Sequence, residues 1–151
     1  MDIFSALLAY LHFGAMMLLA AFGTVEFMML KRNLDAKAVV ALSRVDMVYV
    51  TCGVVVLLSG AVRLGTAQEG VIYFGGNVLF WLKLLLFSAL ALTSLFMSWR
   101  YSRWAHLARM DLSFYVSPAD AASTLLLVKF QLVLLAIVPL LAVLMVRGIA
   151  R

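Results

Sequence analysis

Four apolar runs, from about Ile3 to Leu30, Val45 to Leu64, Tyr73 to Trp99 and Thr124 to Val146, leave this chain few ways to fold. A helix needs roughly 20 apolar residues to cross a bilayer, and each run reaches about that length. The runs are continuously apolar rather than alternating, so a closed β-barrel is excluded. With short connectors they consume the 151 residues, which predicts an all-α integral membrane protein with a single domain over residues 1–151. Composition agrees: 66% of residues are hydrophobic and 13% charged, too much apolar surface for a soluble monomer to hide.

The breaks carry charge and turn residues. Lys31-Arg32-Asn33 ends the first run, Gly65 and Gly70 punctuate the second link, and Ser117-Pro118-Ala119-Asp120 reads as a Ser cap before a first-turn proline. Basic residues cluster in two regions, Lys31, Arg32, Lys37 and Arg44 in one and Arg100, Arg103 and Arg109 in the other. Only Arg63, Arg147 and Arg151 fall at the opposite side. Positive-inside bias therefore predicts a four-transmembrane-helix bundle with both long loops cytoplasmic, N-out and C-out. The start, Met1-Asp2 with positive charge only after the apolar run, reads as a reversed signal anchor rather than a cleavable signal peptide. Topology accounts for the net charge of +5, so nothing points to nucleic acid. Between Arg100 and Ala121, Trp104, Leu107 and Met110 interleave with Arg103 and Arg109, as in a short interfacial helix or an extension of the third span.

Ionisable groups inside a membrane cost at least roughly 2.5–3.5 kcal/mol each on insertion scales, so each asks for an explanation. His12, Met16, Leu19, Gly23 and Glu26 share one helical face, which should point into the bundle. Asp46, Gly53 and Gly60 recur by heptads with Ser59 alongside, a small-residue line suited to close approach by a helix or a flat ligand. At 1.5 Å rise per residue, His12 and Lys83 lie at matching depth in the outer half, and Glu26 and Lys129 at matching depth in the inner half. The inner two could form a structural ion pair; a proton relay or a snorkelling Lys129 is the rival, and Gln131 falls on another face. His12 is the candidate metal ligand. His106 lies on the connector, so two histidines on one haem iron within this chain are excluded, leaving an open site, Met or a deprotonated Lys83 as partner. The single cysteine, Cys52, excludes an intrachain disulfide and a multi-cysteine metal cage. Phosphate loops, nucleophile elbows and zinc spacings are absent.

The segment Leu8-Ala9-Tyr10-Leu11-His12 with Gly23, and Phe80-Trp81-Leu82-Lys83 with the apolar run after it, resemble the first and third helices of the bacterial membrane protoporphyrinogen IX oxidase, and the layout is similar to copper-resistance D membrane proteins. Over nearly its whole length the chain resembles small bacterial membrane proteins of domain of unknown function 2214, through Asp46, Arg63, Tyr73, Asn77 and the stretch Pro139 to Gly148. The oxidase resemblance implies haem b, with His12 as axial ligand and Lys83 as second ligand or propionate partner. Arg63 would hold a propionate and Gly53 and Gly60 would admit the porphyrin. The expectation is a haem b-binding redox protein of the bacterial inner membrane, an oxidoreductase if an enzyme, exchanging electrons with quinone or a porphyrin-like substrate. A homo-oligomer could bury a porphyrin edge. A copper-handling protein using nine methionines with His12, and a non-catalytic scaffold subunit, are the alternatives.

Overall fold

The computed structural model describes residues 3–66, 76 and 78–146. Four helices follow one another: α1 Ile3–Leu30, α2 Ala36–Gly65, α3 Val78–Met110 and α4 Pro118–Val146. All four are long and apolar enough to cross a membrane. Each packs against its neighbours in a ring, α1 on α2, α2 on α3, α3 on α4 and α4 back on α1; among the described residues the backbones of the diagonal pairs do not come into contact. Large apolar side chains such as Tyr10, Met17, Leu92 and Leu126 face outward on the rim. An apolar exterior of this kind is solvated by lipid chains. Lipid is as apolar as leucine, so close packing and interhelical hydrogen bonds hold the ring together.

Three helices extend beyond the apolar runs. α2 begins at Ala36 rather than Val45, because Asp35 caps it: its Oδ1 accepts the Ala38 N–H at 2.8 Å. α3 continues without a break through Trp104 to Met110, so the connector is an extension of the third span and not a separate interfacial helix. α4 starts at Pro118, six residues before the apolar run. There Ser117 Oγ accepts the Asp120 N–H, the Ser cap expected of that turn, and donates to Asp120 Oδ2. The beginning of the third run at Tyr73, with Asn77, and the residues Arg147 and Arg151 lie outside the described residues.

The loops α1–α2 and α3–α4 meet at one end. Asp35 and Tyr115 form an antiparallel bridge, and the Val116 N–H donates to Leu34 O at 3.0 Å. Beneath this joint lies the larger core cluster, in which Leu34, Val39, Leu42, Met97, Tyr101, Trp104 and Val128 are buried. A smaller cluster around Leu19, Tyr49, Cys52, Leu90 and Leu134 follows along the bundle. The face predicted for α1 is the buried one, with Ala15, Leu19, Gly23, Glu26 and Leu30 inside. On α2 the buried line runs through Val39, Leu42, Asp46, Tyr49, Cys52, Val56 and Ser59, with Gly53 and Gly60 beside it.

Candidate functional site

Far from the joined loops, α1, α2 and α3 bring three cationic or titratable side chains together. His12 is half-buried, and its Nδ1 lies 2.8 Å from Ser59 Oγ across the α1–α2 seam. Ser59 has one hydroxyl hydrogen, which goes to the Val55 carbonyl at 2.6 Å, with the Val56 carbonyl 3.2 Å away. The oxygen is therefore an acceptor toward the ring, so Nδ1 carries the imidazole hydrogen and Nε2 keeps its lone pair. A histidine held through one nitrogen in this way is oriented as metal-ligating histidines are.

Gly60 lets this happen. A Cβ at Gly60 would stand 3.2 Å from His12 Cε1, so the missing side chain makes room for the imidazole. The nearest group to a Cβ at Gly53 would be Leu19 Cδ1, at 3.7 Å. Gly60 thus serves the close approach of α1, whereas a Cβ at Gly53 would make ordinary contact, and at both positions the nearest atoms belong to α1.

Arg63, one turn beyond Ser59, is exposed and places its guanidinium 5.3 Å from the Phe13 ring centroid. Lys83 on α3 is half-buried, with Nζ 5.9 Å from the Phe80 centroid. Both cations lie close enough to act electrostatically on His12, and Arg63 acts on Lys83. No acidic residue among the described residues shares this end of the bundle. The arrangement is a Lewis base flanked by two cations, a donor set matched to an anionic ligand that also offers a metal. No three His, Cys, Asp or Glu side chains gather into a metal-holding group among the described residues. Met17, Met28, Met47 and Met110 are exposed and Met97 lies in the core, so these thioethers do not converge on His12.

The inner pair expected from depth does not form. Glu26 is 1% exposed, whereas Lys129 is exposed on the outside of α4, and no ion pair joins them. Helical rotation is the reason: Gln131, two positions on, is the residue of α4 that points inward, where its Nε2 donates to Ser94 Oγ at 2.8 Å. Around Glu26 the structure gathers Tyr49, Ser94, Ser98 and Tyr101, which the apolar runs do not mark, together with Asp46 of the heptad line on α2. Asp46 is only 3% exposed, and Ser98 donates its hydroxyl to Asp46 Oδ2. Serine and tyrosine interrupt an apolar run too weakly to mark a polar layer; only the helical spacing of Asp46 with Tyr49 on α2, and of Ser94, Ser98 and Tyr101 on α3, could have shown it.

No curated protein and no solved structure matches this chain. Residues 4–150, nearly the whole length, match the family described as predicted membrane protein (DUF2214), and with four apolar helices closed into a ring the chain belongs to that family.

Proposed function

We propose that the chain is a membrane-embedded haem b-binding redox protein, with His12 as the axial ligand. The observation that carries this reading is the Ser59 hydrogen bond, which leaves His12 Nε2 as an oriented lone pair facing away from its anchor. Arg63 and Lys83 fit the remaining demand of such a group, since its two propionates need cationic partners in a low-dielectric setting. Lys83 alternatively serves as a second, weaker ligand. The resemblance of the segments around His12 and Lys83 to the membrane protoporphyrinogen oxidase supports the same assignment. Haem, when bound, supplies one-electron chemistry.

The chain's own contribution is positional. Ser59 fixes the ring and its tautomer, Gly60 sets how near the ring sits to α2, and the apolar rim excludes water from the flanks of the imidazole. A quinone dissolved in the lipid of a bacterial inner membrane is the electron partner this placement favours, because the rim of the ring of helices is open to lipid along its length.

The visible spectrum of protein purified in detergent from haem-replete cells tests the proposal. The expected result is a Soret band that His12→Ala removes and that Lys83→Ala shifts without abolishing. Colourless protein that also fails to take up haem on titration overturns it.

A further inference from the structure

Two carboxyl groups in the other half of the bundle, Glu26 on α1 and Asp46 on α2, are 1% and 3% exposed and lie within each other's field. Among the described residues no cation answers them. Lys129 of α4 is exposed, and Arg100 of α3 is committed to Ser123 Oγ at 3.1 Å and Thr124 Oγ1 at 2.8 Å. The titratable neighbours are Tyr49 from α2 and Tyr101 from α3, phenols that are neutral at ordinary pH; α4 supplies Gln131, bound to Ser94. Among the described residues, two buried side-chain polar atoms complete no hydrogen bond: Glu26 Oε1 and Tyr101 Oη. Tyr101 is 0% exposed and its hydroxyl lies beside Glu26.

Two uncompensated negative charges cannot be carried together in such an interior. Something positive must enter. A metal cation would need a shell of about six oxygens, but α1, α2 and α3 run unbroken past Glu26, Asp46 and Tyr101, so their backbone carbonyls are spent within the helices. Ion sites in membrane bundles usually recruit unwound backbone for this purpose. The Ser98 hydroxyl is already spent on Asp46, and those of Ser94 and Thr124 on the Leu90 and Asp120 carbonyls. A proton needs only an oxygen to hold it and one to accept it.

We infer that Glu26 and Asp46 form a reversible proton-binding pair, with the Tyr101 hydroxyl as the hydrogen-bonding partner of the Glu26 carboxyl. The pair lies in the half of the bundle nearer the joined loops, Glu26 standing four residues, about 6 Å of helix, from the end of α1 at Leu30. This site is independent of the His12 layer, which lies 14 residues away along α1, about 21 Å.

Infrared spectroscopy of the protein in lipid vesicles tests this directly. At neutral pH the wild-type protein should show the C=O stretch of a protonated carboxylic acid, shifted in D2O and lost reversibly as the medium is made alkaline. Solvent-exposed carboxyls such as Asp35, Asp111 and Asp120 do not contribute to it under those conditions. Glu26→Gln should remove or strongly reduce the band, Asp46→Asn should shift its titration, and Tyr101→Phe should move its frequency. Absence of the band in the wild-type protein overturns the inference without any variant having to fold. A band indifferent to both Glu26→Gln and Asp46→Asn overturns it as well, as does its disappearance at constant pH on adding sodium, potassium, magnesium or calcium ions.

Discussion

Gly23 of α1 and Tyr49 of α2 meet so closely that a methyl group on Gly23 would stand 3.2 Å from Tyr49 Cε2. Leu132 Cδ2, from α4, would be 3.3 Å away on another side. Gly23 is thus the point at which three helices converge. Gly23→Ala should wedge α1 away from both and cost ~1–3 kcal/mol, read as a lower midpoint in a detergent-unfolding titration. An unchanged midpoint would mean that Tyr49 and Leu132 repack freely.

Ser59→Ala removes the acceptor that holds the His12 ring and should cost about 1 kcal/mol of stability. Nitrogen-15 NMR of labelled histidine should report a single tautomer, hydrogen on Nδ1, in the wild-type protein, and a mixture in the variant. A mixture in both would show that the Ser59 contact does not select the tautomer. Gly60→Ala should disturb the same ring through the 3.2 Å contact with Cε1.

Lys129 faces outward, so Lys129→Gln should change stability by no more than about 0.5 kcal/mol. In a double-mutant cycle with Glu26→Gln the coupling should be near zero. Substantial coupling would restore the ion pair that the structure lacks.

That last contrast shows what can and cannot be read from the residues. Length and apolarity are one-dimensional, and they locate all four spans; the helical period of polar and small residues adds the inward face of α1. Depth is one-dimensional as well, and it pairs Glu26 with Lys129. Azimuth is not: two residues along a helix turn it by about 200°, which is the whole difference between Lys129 on the rim and Gln131 in the core. The early start of α2 was hidden for another reason. Lys37 and Arg44 look like loop charges until Asp35 is recognised as a cap and Val39 and Leu42 as core.

Orientation rests on charge. Cysteines introduced at the exposed positions Asn33 and Thr66 should label from opposite sides, Thr66 from outside and Asn33 only after permeabilisation. The native Cys52 is buried and should stay silent. The reverse pattern would invert the bundle.

Where α3 ends, Asp111 Oδ1 accepts the Ser113 hydroxyl at 2.6 Å and the Ser113 N–H at 2.8 Å, which hold this exposed carboxyl below its ordinary range. The stabilisation is present above the usual carboxylate value and fades as pH falls through the lowered one. Ser113→Ala should return Asp111 toward the ordinary range in an NMR titration of its carboxyl carbon; no movement would place the cause elsewhere.

The bridge between Asp35 and Tyr115 and the bond from Val116 N–H to Leu34 O are made by main-chain atoms. Main-chain bonds are blind to which side chain hangs beside them. Lys31, Arg32, Asn33 and Tyr115 stand exposed around that joint, so the frame beneath keeps its register whichever side chains stand there. Orientation is thus written in side chains and loop closure in main chain, so a change of charge at this end leaves the closure intact.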